Sequence, residues 1–211
     1  MVVFVEMVWA VNGVLILFDG LDFSEKAVAY SKIAPTVSYS TTVPMYERLR
    51  HIANVVNKKA EAEAWITAYE AKAKSTVQKL KTSPSDTATV LLLLGKQMYV
   101  MGKSGFSVTL FDVLNIKPTP KVTSIIDESK RFVAISSEVL PEYMGDWIFL
   151  LSNQSNEETA ATTKALLDSG IWKAVPAVKE GKVYSFDSKW NFDDPITRER
   201  LLEELPRVMG K

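Results

Sequence analysis

The sequence predicts an α/β protein, and three observations carry this prediction. Beyond residues 83–85 (SPS), short apolar runs alternate with segments of helical periodicity, as they do when strands are connected through helices. Before that point, residues 59–81 follow a single long helical pattern. In addition, 47% of the 211 residues are hydrophobic and 24% are charged, the balance of an ordinary folded chain. This length allows one or two domains with a sizeable core.

Composition excludes several classes of protein. The chain has 25 basic and 25 acidic residues, so its net charge is zero, which argues against an electrostatic nucleic-acid binder. It contains no cysteine, which excludes disulfides, thiolate metal sites, cysteine nucleophiles and a lipobox within this chain. His51 is the single histidine, so neither a His-rich metal site nor a serine triad is expected.

The first ten residues (MVVFVEMVWA) are apolar without being a targeting segment. They lack a basic n-region and carry Glu6, so they do not form a signal peptide. Glu6 and Asn12 also interrupt the run as a membrane span. Their β-branched content instead predicts a buried pair of β-strands.

The next elements alternate strand, helix and strand before a longer helix begins. We predict a buried strand over 14–18 that ends at the turn Asp19-Gly20, a helix over 23–33 capped by Ser24, and a strand over 35–38. Pro44 has the fixed φ of a first helical turn and starts the following helix, which Asn57 ends. The predicted buried stripe of that helix is Met45, Leu49, Ile52, Ala53 and Val56.

Residues 59–81 form the longest predicted helix, at roughly 35 Å. Lysines and glutamates cover one face, while apolar residues fall near the other: Ala62, Trp65, Ile66, Tyr69, Ala73 and Leu80. A helix of this length can act as a rigid strut. Residues 83–85 close it and mark the best domain boundary in the sequence.

The segment after the boundary begins with a hairpin. Residues 89–94 are continuously apolar, which predicts a central strand covered on both faces, and residues 97–101 are its hairpin partner. The elements that follow are a short helix over 106–114, strands over 132–135 and 147–151, and a short helix over 138–143 between those two strands.

Turn and capping residues define the last elements. Ser155 and Glu158 form the S-x-x-E capping pattern of a helix that runs to about Ser169, with Gly170 at its C′ position. Residues 183–186 are the last strand. Pro195 then starts the final helix, which Asp193 or Asp194 caps.

Three patterns that could indicate catalysis have simpler structural interpretations. Residues 101–104 (MGKS) resemble the end of a phosphate-binding loop, but the pattern requires glycine at position 97, where the chain has Gln97. His51 lies on the edge of its helix's apolar stripe and is interpreted as a solvated side chain. Asp187 and the pair at 193–194 could serve acid–base chemistry, but helix capping explains the pair more simply.

Two aromatic segments remain open to a functional interpretation. Trp190 and Phe192 lie between the last strand and the last helix, at the sheet edge where α/β proteins bind ligands. They are either a plug for the core or a platform for a ligand. Lys103 and Phe106 lie on a turn expected near a similar edge, where a cation beside an aromatic ring suits an anionic or aromatic ligand but also an ordinary surface turn.

Several motifs, in order along residues 14–208, resemble the iron–siderophore substrate-binding proteins of ABC importers. Residues 30–37 (YSKIAPTV) are similar to the family's L-S-K-I-A-P-T-V, and residues 99–106 (YVMGKSGF) to its Y-V-x-G-K-x-S-F. Residues 135–141 (ISSEVLP) resemble I-S-x-E-x-L-P, and residues 170–184 resemble P-L-W-K-x-L-x-A-V-K-x-G-x-V-Y. The aromatic segment 190–195 precedes a D-P-I sequence, as in the family.

The resemblance implies a two-lobed, periplasmic-binding-protein-like α/β fold with a long connecting helix. It assigns residues 1–58 to an incomplete N-terminal lobe, 59–83 to the helix and 84–211 to the C-terminal lobe. A ferric siderophore would occupy the cleft between the lobes, and no cofactor or protein metal ligand is implied because the organic chelator holds the iron. The implied ligand-binding residues are Lys96, Lys103, Phe106, Trp190 and Phe192. Glu138 matches the glutamate that docks onto an arginine pocket of the permease, for which a carboxylate is suited.

The chain departs from the family pattern in two ways. It starts well inside the N-terminal lobe, so the export signal, the first strands and that lobe's docking glutamate are expected to be missing, and a homodimer could complete the lobe. In addition, Leu92 and Leu94 occupy positions where several relatives carry arginines that contact anionic catecholates. A less anionic chelate, such as a hydroxamate, is therefore favoured.

The resulting hypothesis is a binding protein without enzymatic activity. It would deliver a ferric siderophore to an importer permease. The resemblance implies a location in the periplasm or on the extracellular face of the cytoplasmic membrane, because the family includes lipoproteins. The alternative is a truncated fragment that has lost ligand binding and forms a structural or oligomeric α/β domain. A small α/β hydrolase or nucleotide enzyme is not favoured, because its motifs are absent.

Overall fold

The computed structural model describes residues 15–19 and 25–210. The chain divides into two compact units, Met1–Glu70 and Ala71–Lys211. The strand pair predicted over residues 1–10, the turn at Gly20 and the cap at Ser24 lie outside the described residues. The predicted domain bounds 1–58, 59–83 and 84–211 stay a prediction. The α/β class is confirmed, because each unit combines helices with a sheet.

The N-terminal unit contains a parallel strand pair joined by a helix. Strands β1 (Ile16–Asp19) and β2 (Thr36–Tyr39) pair with Ile16 opposite Thr36, and helix α1 (Glu25–Ser31) lies between them in the chain. Parallel strands require such a crossover connection. The predicted burial of the first strand is wrong: its side chains alternate between half-buried and exposed, and Leu17 is 42% exposed.

Helix α2 (Met45–Val55) starts one residue later than predicted, because Pro44 is its N-cap with an extended ψ of 141° and not its first residue, and its buried stripe also differs from the prediction. Its buried residues are Met45, Arg48, Ala53 and Val55, whereas Val56 is exposed. The helix ends at Val55 and Asn57 adopts a positive φ of 55°, so Val56 lies beyond the last turn. Arg48 can lie in the stripe because its long apolar stem packs like a hydrophobic side chain.

Helix α3 (Lys59–Val77) is the long predicted helix, shorter than expected at its C-terminal end. Its length is about 28 Å. The chain tightens after it, because Lys79 N–H and Leu80 N–H donate to carbonyls only three residues back. Trp65 and Leu80, predicted on the buried face, are only half-buried. The buried side chains of α3 are Ala62, Ile66, Tyr69, Ala73 and Thr76.

A six-stranded mixed sheet organises the C-terminal unit. Its strands are β3 (Thr87–Leu94), β4 (Gln97–Met101), β5 (Lys117–Pro118), β6 (Phe132–Ile135), β7 (Trp147–Ser152) and β8 (Val183–Asp187). They follow the order β6-β4-β3-β7-β8, with the short β5 paired to β3. β3, β7 and β8 run parallel, and β4 turns back antiparallel to β3. The predicted central strand and its hairpin partner are both confirmed.

Helices connect these strands and cover the sheet. They are α4 (Phe106–Val108), which continues into a wider π-helical turn at Thr109–Val113, α5 (Pro120–Asp127), α6 (Glu157–Asp168), α7 (Gly170–Ala174), α8 (Pro176–Lys179) and α9 (Pro195–Met209). Two 3₁₀ turns, Leu140–Tyr143 and Ser188–Asn191, complete the unit. No helix within residues 15–19 and 25–210 has the length and apolar character needed to cross a membrane.

Alternation of side chains gives the sheet two different faces. One face carries Leu91, Leu93, Ile148 and Leu150, which pack against buried residues of the covering helices, among them Trp172 of α7. The opposite face carries the alternate residues of each strand. The register aligns five of them in one row across the strands: Ala134, Tyr99, Leu92, Leu151 and Phe186.

Helix α5 is the largest element that the sequence interpretation missed. Thr119 caps it, with its Oγ1 accepting from Val122 N–H at 3.3 Å, and Pro120 occupies its first turn. Threonine followed by proline is a good helix start. Val122 and Ile125 are its buried residues. The signal was therefore present in the sequence, in a segment for which no element was predicted.

Capping differs from the prediction at both ends of α6. Asn156, not Ser155, is the N-cap, and its Oδ1 accepts from Thr159 N–H at 2.9 Å. At the other end Ser169 has extended backbone and caps the next helix, so Gly170 starts α7 instead of ending α6. The final helix follows the prediction, because the Asp194 carboxylate accepts from Thr197 N–H at 2.9 Å.

Candidate ligand-binding surface of the C-terminal unit

The row of side chains from Tyr99 to Phe186 lies beneath the candidate site and forms its floor, in which Leu92 and Leu151 are buried and only Tyr99 and Phe186 are half-buried. Tyr99 lies opposite Leu92, which lies opposite Leu151, which lies opposite Phe186. Strands lie about 4.8 Å apart, so this row extends about 14 Å from Tyr99 to Phe186. The row contains no Asp, Glu, His, Lys or Arg side chain.

Trp190 is held over one end of this row by the turn that follows β8. The Asp187 carboxylate accepts from Lys189 N–H at 2.9 Å, which starts a 3₁₀ turn at the end of the strand. The turn brings the Trp190 ring 5.7 Å from the Phe186 ring, edge to face. Trp190 is half-buried, and Phe192, just beyond the turn, is 65% exposed. The segment therefore presents aromatic surface to solvent, as the ligand-platform interpretation expects.

Lys103 lies on the turn between β4 and α4. Gly102 N–H donates to the carbonyl of Arg131 at 2.9 Å, which anchors this turn beside the start of β6. Lys103 is exposed, and its Nζ lies 3.0 Å from an Asp112 carboxylate oxygen. The Arg131 guanidinium donates to Ser104 Oγ, so it lies close to the same turn.

The structure joins the Lys103 turn to the Trp190 turn. Phe106 N–H donates to the side-chain oxygen of Asn191 at 3.1 Å. The two turns were predicted to lie near a common sheet edge. They meet instead above the sheet, because β4 runs antiparallel to β3 and ends away from the carboxyl edge of β8.

Phe106 belongs to the interior and not to the exposed surface. Its side chain is 0% exposed and packs against the Phe149 and Phe186 rings at 5.3 and 5.2 Å. With no exposed surface it cannot contact a ligand in this conformation. Its role is to support Phe186, on which Trp190 packs.

Lys96 and Glu138 are exposed at other places on the unit. Lys96 lies in the turn between β3 and β4, where its Nζ is 3.7 Å from a Glu158 carboxylate oxygen of α6. No contact described for residues 25–210 joins Lys96 to Lys103 or Trp190. Glu138 lies in the turn between β6 and the Leu140–Tyr143 helix.

Tyr99 and Phe132 are surface aromatics that the sequence interpretation did not assign to the site. Their rings lie 5.3 Å apart at 81°, and Phe132 is 51% exposed. Tyr99 shares the sheet face of Phe186 by register. The alternation within residues 97–101 could have identified Tyr99, but the face of Phe132 depends on which strand β6 pairs with.

The floor of the surface is electrically neutral. Leu92 is buried and Leu94 is 48% exposed, so both positions are apolar. Tyr184 lies on the same face of β8, two residues before Phe186, and burial raises the pKa of its phenol above the ordinary value. Charge is therefore supplied by the rim, at Lys103 and Arg131.

The structure also gives each remaining acidic candidate a structural partner. Asp187 and Asp194 accept hydrogen bonds from backbone N–H groups at the start of their turns, and Asp193 pairs with Arg198 at 2.6 Å. His51 is exposed on α2. Within residues 15–19 and 25–210 no cluster of His, Asp or Glu could hold a metal ion. Residues 97–101 form a paired strand and not a phosphate-binding loop.

Comparison with known proteins identifies similar chains. The model of the periplasmic binding protein family matches residues 13–190. The chain is 33% identical over 188 residues to the iron(3+)-hydroxamate-binding protein FhuD of Bacillus subtilis, and 25% identical over 189 residues to the iron(3+)-hydroxamate-binding protein YxeB of the same organism. Each match covers 85% of this chain and 58% of the relative, so the chain spans 58% of the length of these curated relatives.

A solved structure has the same fold. It is a FhuD fold-family periplasmic binding protein component of a Fep/Fec-like ferrichrome ABC transporter from Bacillus subtilis. The TM-score is 0.82 and the sequence identity 30%, and the match covers 98% of this chain and 76% of that chain. The similarity therefore extends over nearly the whole chain.

Proposed function

Because the chain belongs to the periplasmic binding protein family, we propose that it is the substrate-binding component of an ABC importer and that it binds a ferric siderophore. Family membership agrees with the resemblance found in the motifs. The observation that carries the proposal is the set of solvent-accessible aromatic side chains on this part of the unit, in which Phe132 and Phe192 are exposed and Tyr99 and Trp190 are half-buried, with the exposed Lys103 at the rim. Large aromatic faces and a few polar groups suit an organic chelate.

The proposed ligand is a hydroxamate-type chelate rather than a catecholate. A ferric tris-catecholate carries several negative charges, which require cations at close range. Leu92 in the floor and Leu94 at the end of β3 offer none, and Lys103 is already partly neutralised by Asp112. A trihydroxamate complex is neutral at the iron centre, so aromatic packing and one cationic donor suffice. The names of the two curated relatives support the same chemistry.

We assign different roles to the predicted ligand-binding residues. Trp190 and Phe192 contact the ligand through their rings, and Lys103 donates to its oxygen atoms. Phe106 supports the surface from beneath. Lys96 is assigned to the periphery, because its described partner is Glu158.

The proposal includes a permease as partner, with Glu138 as a docking residue. The exposed carboxylate of Glu138 is available for a bidentate pair with an arginine of the permease. Replacing Glu138 with Gln should lower ligand delivery by a reconstituted importer without changing ligand affinity. An equal loss of ligand affinity would contradict the docking role. The location that follows is the periplasm or the outer face of the cytoplasmic membrane.

Intrinsic fluorescence tests ligand binding directly. Titration with a ferric trihydroxamate such as ferrichrome should quench emission to saturation, and a ferric tris-catecholate should quench less at equal concentration. Trp190→Phe should remove most of the quenching. Trp172→Phe is the matched control, since Trp172 is buried against the other sheet face, and it should keep the quenching.

Lysine variants test the rim. Lys103→Ala should weaken binding about fivefold, the effect of losing one charge-assisted hydrogen bond at an exposed site. Lys164→Ala, an exposed lysine on α6, should not change the affinity. A folded chain that binds neither ferric chelate would overturn the proposal and favour the alternative, a structural or oligomeric domain. Sedimentation measurements would then test the predicted homodimer.

A further inference from the structure

Asn191 makes a hydrogen bond between two segments that are far apart in the chain. Its side-chain oxygen accepts from Phe106 N–H at 3.1 Å, across 85 residues of sequence. This N–H belongs to the first residue of α4, and the preceding Gly105 supplies no side-chain cap. Asn191 therefore provides a hydrogen-bond acceptor for a backbone N–H at the start of α4 that has no acceptor within the helix. The same hydrogen bond joins the two turns.

Gly105 allows the two turns to approach this closely. It has a φ of +57°, and a Cβ atom built on it would lie 2.3 Å from both the backbone and the side-chain oxygen of Asn191. No side chain fits at that distance, and the backbone conformation itself favours glycine. The contact thus requires glycine at position 105 and a side-chain acceptor oxygen at position 191.

The flanks of the Trp190 turn are held by other contacts. Asp187 starts the turn through Lys189 N–H. After the turn, Asp193 pairs with Arg198, whose side chain is only 9% exposed. These contacts join the turn to β8 and α9. Among the described residues, the bond from Asn191 is the one hydrogen bond given for this turn that joins it to the segment carrying Lys103.

We propose that Asn191 is a positioning residue of the ligand site, an inference that rests on the proposed function. Its carboxamide sets the separation between the Lys103 rim and the rings of Trp190 and Phe192. A chelate that contacts both must match this separation, so Asn191 contributes to affinity and to the choice of chelate without touching it. The contact requires only an acceptor oxygen, because the donor is a backbone N–H.

Two substitutions distinguish loss of the acceptor oxygen from general destabilisation of the fold. Asn191→Ala removes the acceptor and should weaken binding of ferrichrome about tenfold. Asn191→Asp keeps an acceptor of the same shape and should remain within about threefold of the original affinity. Gly105→Ala damages the same contact from the other side and should weaken binding at least as much as Asn191→Ala.

A capping variant on the opposite sheet face controls for stability. Ser169 Oγ accepts from Trp172 N–H at 3.2 Å at the start of α7, so Ser169→Ala also removes a local acceptor at a helix start. It should lower thermal stability to a similar extent and leave ferrichrome affinity unchanged. Equal affinities for Asn191→Ala, Gly105→Ala and the unmodified chain would overturn the positioning role.

A measurement without ligand keeps this inference separate from the proposed function. In the ligand-free protein Asn191→Ala should increase quenching of Trp190 by acrylamide, assigned by difference from the same variant carrying Trp190→Phe. Asn191→Asp should restore the original accessibility. If the unmodified chain binds no chelate, the proposed function fails, whereas unchanged Trp190 accessibility in Asn191→Ala refutes the positioning role itself.

Discussion

Individual aromatic residues of the C-terminal unit have opposite roles that depend on burial. Phe106 is 0% exposed and contacts two other rings, while Phe192 is 65% exposed. Both were assigned to a ligand site from sequence. A buried ring contributes through packing and removal from water, and an exposed ring contributes when a ligand covers it.

This difference predicts opposite effects of truncation. Phe106→Ala should lower the free energy of unfolding by about 3–5 kcal/mol, because it leaves a cavity against Phe149 and Phe186. Phe192→Ala should change it by less than about 0.5 kcal/mol while weakening ligand binding. Urea denaturation gives both values. A large loss of stability in Phe192→Ala would contradict the assignment of Phe192 to the surface.

Asp146 connects the starts of β3 and β7 and predicts a dependence of stability on pH. Its carboxylate accepts from Thr87 N–H at 2.7 Å and from Thr87 Oγ1 at 2.8 Å. The backbone hydrogen bond from Thr87 is the largest cause that lowers the pKa of Asp146 below its ordinary value.

A carboxyl group with a lowered native pKa stabilises the fold above its unfolded pKa, and this contribution is lost as pH falls through the native pKa. Asp146→Asn should therefore cost about 0.5–1 kcal/mol at pH 7, a small value because the residue is largely exposed. As pH falls below the ordinary pKa of an aspartate and through the lowered native pKa of Asp146, the two proteins should approach equal stability. Urea unfolding from pH 7 to pH 2 measures the difference, and a constant difference would refute this account.

At the scale of elements, helix starts depend on which side-chain oxygen reaches an unpaired N–H group. The S-x-x-E pattern at Ser155 satisfies the sequence rule for a capping box, yet Asn156 accepts from Thr159 N–H. Ser155 N–H donates instead to Asn153 Oδ1 at 3.0 Å, within the turn after β7. A shift of the N-cap by one residue, from Ser155 to Asn156, thus changes the role of both residues.

Alanine substitutions distinguish these two positions. Asn156→Ala should lower the free energy of unfolding by about 1 kcal/mol, because it removes the side-chain cap of α6. Ser155→Ala should have an effect below about 0.3 kcal/mol, since Ser155 donates to Asn153 through its backbone N–H, which alanine keeps. Thermal or urea unfolding measures both. A larger effect at Ser155 would restore the capping box predicted from the sequence.

At the scale of the whole molecule, ligand binding and stability are linked. The chain contains two compact units, and α3 contributes residues to both of them. A ligand that binds only the folded chain raises its stability in proportion to the logarithm of the free ligand concentration. The proposed function therefore predicts an effect on unfolding in addition to the fluorescence change.

Ferrichrome should raise the thermal midpoint of the chain. The expected stabilisation is about 2.7 kcal/mol at a free concentration roughly 100 times Kd. The iron-free chelator should stabilise less, because it lacks the rigid complex that matches the surface. Trp190→Phe should reduce the shift and Trp172→Phe should not. An equal shift with and without iron would contradict recognition of the ferric complex.

The order of elements could be predicted because the signals that define it are local. The continuous apolar run of β3, the turn that follows it and Pro195 each act on residues close in sequence. The missed helix α5 and the displaced cap of α6 also have local causes, in Thr119-Pro120 and in Asn156. Burial in α2 was harder to predict, because the helix end at Val55 shifts which residues reach the core.

By itself the sequence determined the α/β class, the central hairpin, the long helix and the aromatic segment at residues 190–192. Periodicity and turn preferences depend only on residues that are close in sequence. Only the tertiary structure decided that Phe106 is interior, that Tyr99 shares a sheet face with Phe186, and that Asn191 joins two turns. These features depend on strand order and on contacts between segments as much as 85 residues apart, which the local sequence does not determine.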